Sequence, residues 1–383
     1  MNILVLIHEF PPVGGGGGRV AYDICRGLGE RGHEITILTA HIKGLRKEED
    51  VDGMRVLRLP SFRREAFRAD LIAMGAYVLS GLWAGYRYIK HWQPDVIHVH
   101  FAVPAGVLAW VLSRLTGVPY VLTAHLGDVP GGVPEKTGGW FKWVLPFTRP
   151  VWRDAKRAIA VSKYTRQLAL KHYEREIDVI PNGVDLDRLR PARIQVNDPP
   201  RIVFAGRFVS QKNPVQVVST LTELKDLPWQ CVMLGDGPLK PDVEQLIAEQ
   251  SLDKRFTLPG WVTPEEVLMW FDKSDILFMP SLSEGLPVAG VQALAKGLAV
   301  VASKIGGFVD LVDEGQNGFL VDSYQSHGFN MALQQLLSHK TELNRFREAS
   351  LQKAIYFDIK HVVEQYEDIF REAVHTTDKP QSI

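Results

Sequence analysis

The 383-residue sequence has little of what marks several large protein classes. Its two cysteines, Cys25 and Cys231, stand far apart with no second ligand nearby, which excludes a disulfide framework and a thiolate metal site. Both read as core residues of a protein in a reducing, cytoplasmic compartment. Lys+Arg and Asp+Glu each number 44, so no overall positive charge points to nucleic acid. No apolar run has the length of a membrane span. The least polar stretch, Leu71 to Tyr88, is broken by Gly and Ser and flanked by Arg, as expected of a buried or interfacial helix. Met1 to Ile7 is apolar but carries neither a basic leader nor a cleavage site. No short-period repeat is visible.

The charge that is balanced overall is divided unevenly. Residues 1–190 hold 26 Lys+Arg against 19 Asp+Glu, and residues 191–383 hold 18 against 25. A basic N-terminal half suits an anionic membrane surface, an acidic substrate or pairing across an interdomain interface.

With 45% hydrophobic residues the chain can bury a large core, and its length suggests two domains. Apolar runs alternate with helical patterns. Strands are predicted at Ile3–His8, Glu34–Thr39, Arg55–Leu59, Val96–His100, Tyr120–Thr123, Ala158–Val161 and Ile177–Ile180. A second series follows at Arg201–Ala205, Gln230–Leu234, Phe256–Leu258, Ile276–Met279, Ala299–Ala302 and Gly318–Val321. The intervening helices include Val20–Arg31, Leu71–Trp92, Val103–Leu115 and Tyr164–Tyr173; residues between Thr123 and Ala158 read as an irregular Gly/Pro/Trp segment. Strand–helix alternation implies an α/β fold of two doubly wound parallel sheets. The proline-rich stretch before Arg201 is the linker candidate. The expected division is 1–187, a linker at 188–200, a second domain at 201–355, a helix at 356–375 returning toward the first domain, and a tail at 376–383.

Ligands of such sheets bind at the carboxyl ends of strands, so the loops there matter most. Ser281 to Pro287 follows an apolar strand and carries Glu284, a candidate ligand or a plain helix cap. Gly14 to Gly18 offers bare backbone amides at a helix N-terminus, suited to a phosphate. It also fits the dinucleotide pattern G-x-G-x-x-A, but the second strand ends at His41 without the acidic residue a ribose needs, which argues against an NAD-dependent oxidoreductase. Arg207 and Lys212 follow the first strand of the second half and can clamp a diphosphate. His125 follows another strand end. His98 and His100 invite a metal reading but lack a third ligand in register. Asp185-Leu186-Asp187, like Asp50 and Asp52, reads as a turn and helix cap.

Taken in order, Phe10-Pro11-Pro12 with the glycines, Arg31-Gly32-His33-Glu34, Asp95 to His100, Ala160 to Lys163, Val179 to Asp185, Gly206-Arg207 with Lys212, Gly235 to Pro238 and Ser283 to Pro287 resemble the retaining GT-B glycosyltransferases of the large fourth family. The resemblance implies two Rossmann-like domains facing each other across a cleft. It also implies metal-independent transfer of a sugar, a hexose in the usual case, from a nucleotide donor, UDP- or GDP-linked, with no other cofactor. By that resemblance Arg207 and Lys212 hold the donor diphosphate, with Gly15 and Gly16 approaching it. Glu284, Gly285, Leu286, Pro287 and Val288 meet the sugar, His125 stands at the reacting centre, and Trp261 and Val262 receive the base. The family's second glutamate is here Gln292, which keeps one carbonyl acceptor for the ribose and loses the charge.

Two further readings of the same fold stay open: a nucleotide-sugar epimerase, and a catalytically weak sugar-nucleotide-binding protein. The expected acceptor is a glycan, glycolipid or small molecule in polysaccharide or glycolipid biosynthesis. Phe62 to Arg68, and Trp140 to Trp143 with Arg149, Trp152 and Arg153, interleave basic and aromatic residues. They suit either the inner face of a membrane or packing around a sugar acceptor.

Overall fold

The computed structural model describes residues 1–65, 69–133, 141–323 and 325–375, and the chain forms two compact units. The first comprises residues 1–183 and the chain from Ile359 onward; the second comprises Val184–Asp358.

The first unit is built on an eight-stranded sheet: β1 (Asn2–Leu6), β2 (Glu34–Ile42), β3 (Glu48–Val51), β4 (Met54–Arg63), β5 (Val96–His100), β6 (Tyr120–Ala124), β7 (Arg157–Ala160) and β8 (Asp178–Val179). Their order is β3-β4-β2-β1-β5-β6-β7-β8. All pairings are parallel except the β3–β4 hairpin. Leu4 stands in register between Thr36 and Ile97. The central strands are buried and largely apolar because helices cover both sheet faces, with His98 and His100 of β5 among the buried polar exceptions. These helices are α1 (Gly16–Glu30), α2 (Leu71–Trp92), α3 (Val107–Thr116), α4 (Phe141–Asp154) and α5 (Lys163–Leu170).

The second unit has six parallel strands, β9 (Arg201–Ala205), β10 (Gln230–Leu234), β11 (Phe256–Gly260), β12 (Ile276–Met279), β13 (Ala299–Ser303) and β14 (Gly318–Val321), in the order β11-β10-β9-β12-β13-β14. Its helices are α6 (Leu186–Leu189), α7 (Pro214–Glu223), α8 (Lys240–Glu249), α9 (Pro264–Asp272), α10 (Val288–Ala295), α11 (Phe308–Leu311), α12 (Ser326–Ser338) and α13 (Lys340–Ala354). The chain then re-enters the first unit as α14 (Ile359–His375), whose buried face includes Val362, Val363, Tyr366 and Phe370. Glu367 ties α14 to the end of α1. Its carboxylate accepts from Arg31 Nε at 2.6 Å and lies 3.2 Å from His33 Nε2.

Three expectations are corrected. Residues 188–200 are not a free linker. Asp275, fully buried, accepts hydrogen bonds from the backbone of Asn197 and Arg201 and from the Arg347 guanidinium, which also donates to Gln195 O at 2.8 Å. This network fastens the proline-rich stretch to the second unit, and the boundary falls between Gly183 and Val184. Residues 141–154 form a helix despite Pro146 and Pro150, residues that ordinarily break one. Buried Val151 and Trp152 anchor it, Trp152 stacking on Tyr173 with ring centroids 4.4 Å apart. The helix expected from Val103 starts at Val107. Before it lies an irregular turn closed by Gly106 N–H donating to Phe101 O, because Pro104 has no N–H to give.

Candidate functional site

In the second sheet the strand order reverses between β9 and β12, so the loops after these two strands lie side by side at the position where doubly wound sheets take ligands. The first loop carries Arg207 and Lys212, the second Glu284. Leu282 N–H donates to Gln211 O at 2.8 Å, and Gln211 Nε2 donates to Ser283 O at 2.9 Å. The stitching brings Lys212 Nζ onto Glu284 Oε1 in a direct ion pair. Glu284 is 5% exposed, and such a buried carboxylate is tolerable only beside a cation. Its role is therefore not that of a helix cap: α10 begins after Pro287 without a side-chain cap. Arg207 is half-buried on the same loop.

A third loop supports this pair from below. Gly306 has φ +50°, and a Cβ there would lie 1.8 Å from Glu284 O; Gly307 N–H donates to the same oxygen at 3.2 Å. Only glycine allows the backbone after β13 to approach so closely. Gly285 is half-buried, Leu286 and Pro287 are buried, and Val288 opens α10, on which Gln292 is half-buried. Trp261, 51% exposed, and half-buried Val262 follow β11.

The first sheet reverses between β1 and β5. There Gly15 N–H is not bare, since it donates to Glu9 Oε2 at 3.3 Å. Burial works against the Glu9 charge, but the adjacent His8 imidazole, Arg63 and the Gly15 amide outweigh it and hold the carboxyl down at about 2. Gly16 begins α1, and Gly17 accommodates the Phe101 ring, which a Cβ would meet at 2.5 Å. Sequence reasoning missed Glu9, because its partner Arg63 lies far along the chain, at the end of β4, and donates to His8 O at 3.0 Å.

His125 sits after β6 with Nε2 2.9 Å from His100 Nδ1. Its backbone N–H donates to Asp128 Oδ1 at 2.9 Å, and Asp128 Oδ2 accepts from Ala102 N–H at 2.7 Å. The buried His100 Nε2 has no partner. An unpaired N–H in a protein interior costs more than an unpaired lone pair. His100 is accordingly assigned the tautomer in which Nδ1–H donates, which leaves His125 with its proton on Nδ1. Burial pushes His125 down to about 4 and His98 to about 3, and His100 well below its ordinary value. All three are neutral at pH 7. His98 bonds Thr123 Oγ1 at 3.0 Å, so the His98/His100 pair serves a buried polar network.

The other motifs resolve plainly. Asp185 accepts Arg188 N–H as the N-cap of α6, and Asp50 accepts Gly53 N–H in the β3–β4 turn. Cys25 and Cys231 are buried. Of the basic–aromatic segments, Ala66 to Arg68 and Trp140 lie outside the described residues. Arg63 and Trp152 are buried and present nothing to a surface, whereas Phe62, Arg64, Arg149 and Arg153 are exposed.

The whole chain superimposes on a sucrose-phosphate synthase from Thermosynechococcus elongatus with a TM-score of 0.86 at 19% identity, covering 98% of this chain and 99% of that one. HepE of Anabaena, solved with UDP and glucose, gives 0.77 at 18% identity over 97% of this chain and all of its own. Together with the two parallel sheets, these likenesses define a GT-B fold. The sequence is also 29% identical to a 2-deoxystreptamine glucosyltransferase of Streptomyces kanamyceticus, over 75% of this chain and 80% of that protein. Residues 14–188 match the profile of Glycosyltransferase Family 4, and residues 187–353 that of Glycosyl transferases group 1. The chain belongs to this family and is a glycosyltransferase.

Proposed function

We propose that the protein transfers a hexosyl unit from a nucleoside-diphosphate sugar to an acceptor hydroxyl, with retention of anomeric configuration and without a metal ion. The observation that carries the reading is the Lys212–Glu284 pair at the reversal point of the second sheet. A lysine and an arginine on one loop offer the diphosphate a point charge and a planar donor fork, which stabilise the leaving group in place of a metal. Glu284 accepts hydrogen bonds from sugar hydroxyls, and the amides that open α10 add donors. Committed to Lys212, Glu284 is a poor covalent nucleophile. Retention then follows from acceptor attack on the face the diphosphate leaves, with the leaving phosphate taking the proton. Gly15 and Gly16 are kept as phosphate contacts, with Glu9 on the Gly15 amide restricting that role. Trp261 and Val262 are assigned to the base and Gln292 to the ribose. HepE of Anabaena, with its UDP and glucose, makes UDP-glucose the first donor to test.

Replacing Lys212 by Ala is expected to lower kcat/KM at least about 100-fold, near 3 kcal/mol, with an unchanged circular dichroism spectrum. Turnover equal to wild type overturns the assignment. The anomeric configuration of the product by NMR, and rates measured in EDTA, test retention and metal independence. Release of UDP without a transferred sugar points instead to an epimerase.

A further inference from the structure

The helix α2 has two faces of opposite character. Ala73, Tyr77, Gly81, Gly85 and Ile89 are buried, and the two glycines meet Leu108 and Leu112 of α3. The other side carries Ile72, Leu79, Trp83 and Tyr86, exposed at 73%, 71%, 68% and 39%. At 3.6 residues per turn these four fall within a stripe about 60° wide, opposite the buried row. A single exposed leucine is ordinary, but large apolar side chains aligned along one helix mark a docking face.

The charges identify what docks. Residues 71–92 contain no Asp or Glu, while Arg87, Lys90 and His91 gather near the C-terminal end. Arg87 lies over the Trp83 ring at 4.8 Å and Lys90 over Tyr86 at 5.7 Å, so the cations border the apolar stripe. The first unit as a whole holds 27 Lys+Arg against 22 Asp+Glu, the second 17 against 22. A second copy of the same face brings the same cations and no carboxylate to meet them. Anionic headgroups above acyl chains satisfy both parts: aromatic rings sit at the interface, and Arg and Lys extend their heads to lipid phosphates. No described helix is long and apolar enough to cross a bilayer, so α2 lies along the surface.

We propose that the outward face of α2 is the docking surface for an anionic lipid bilayer. This stands apart from the donor and transfer chemistry proposed above, and it places the membrane-facing role on α2, whereas Arg63 and Trp152 of the basic–aromatic segments are buried.

The test is co-sedimentation with vesicles of phosphatidylcholine alone and with one third phosphatidylglycerol. The full chain is expected to bind the anionic vesicles at least ten times better than the neutral ones, less so as salt rises. The double variant Leu79→Glu/Trp83→Glu is expected to lose that binding at least tenfold with an unchanged thermal midpoint, and Arg87→Glu/Lys90→Glu to lose the preference for anionic lipid. Equal binding to both vesicles overturns the proposal, as does an apolar-face variant that binds like wild type. So does a wild-type dimer, seen by light scattering, that this variant dissolves while neither protein binds lipid.

Discussion

In the first unit β5 and the end of β6, beside the sheet's reversal point, hold the neutral histidines His98, His100 and His125; in the second the loops at the reversal point hold a lysine facing a glutamate. Both sheets reverse strand order beside the first strand of their unit, so the fold alone does not dictate the chemistry. Lys212 and Glu284 form an ion pair, and on the function proposed above a diphosphate entering there meets Arg207 and Lys212. His98, His100 and His125 give up charge to be buried and act through directed hydrogen bonds. An ion pair thus stands at the ends of β9 and β12, and a hydrogen-bonded neutral histidine pair at the ends of β5 and β6.

Acid separates the two most strongly. A histidine whose folded pKa lies below its unfolded value binds fewer protons when folded, so its stability is intact above about pH 6.5 and is lost as pH falls toward the folded value. For His125 that window runs from about 6.5 down to about 4, and for His98 down to about 3. His98 alone then costs the first unit roughly 2 kcal/mol between pH 7.5 and pH 5. Glu9, held at about 2, adds a second loss of the same sign below about 4.5. The second unit has only His327, exposed on α12, and His339, exposed between α12 and α13. Hydrogen exchange at pH 5, corrected for intrinsic rates, is expected to show β5 and β6 losing protection while β9 and β12 keep theirs. Simultaneous loss in both units breaks the contrast.

A smaller effect sharpens it. If His100 fixes the His125 tautomer, His100→Leu removes the donor, whereas His100→Asn places an amide N–H near the position of Nδ1. Nitrogen NMR of His125 is expected to show Nδ1 protonated in wild type and in the Asn variant, and a mixture in the Leu variant. The transfer rate is expected to fall about tenfold in the Leu variant and to recover largely in the Asn variant. A wild-type His125 protonated on Nε2 removes the positioning role.

The sequence shows the sheets better than the connections between charges. Arg201–Ala205, Gln230–Leu234, Ile276–Met279 and Gly318–Val321 are strands to the residue, because each is a short apolar run between turn formers. Glu48–Val51 was not legible, since a charged hairpin edge has no apolar alternation to read. The bonds that fix residues 195–201 come from Asp275 and Arg347, far along the chain. The loops bearing Glu284, Lys212 and His125 were legible through strand-end position and family resemblance. Their partners His100 and Gly306 were not, because each pairing joins residues from different strand ends, and neither was Glu9, whose partner Arg63 lies at the end of β4.

The finest distinction lies at Gln292, half-buried on α10. Gln offers one neutral carbonyl oxygen where Glu offers two charged ones, and a hydrogen bond to a charged acceptor exceeds a neutral one by about 1 kcal/mol. If Gln292 faces the donor ribose, Gln292→Glu is expected to lower the donor KM about fivefold with kcat nearly unchanged, since the ribose is bound equally in ground and transition states. A donor lacking the ribose hydroxyls should show no such gain, because nothing remains to donate to the added oxygen. A gain that persists with the deoxy donor places the effect elsewhere, in the local charge beside the phosphates, and the ribose assignment of Gln292 then fails while that of Lys212 stands.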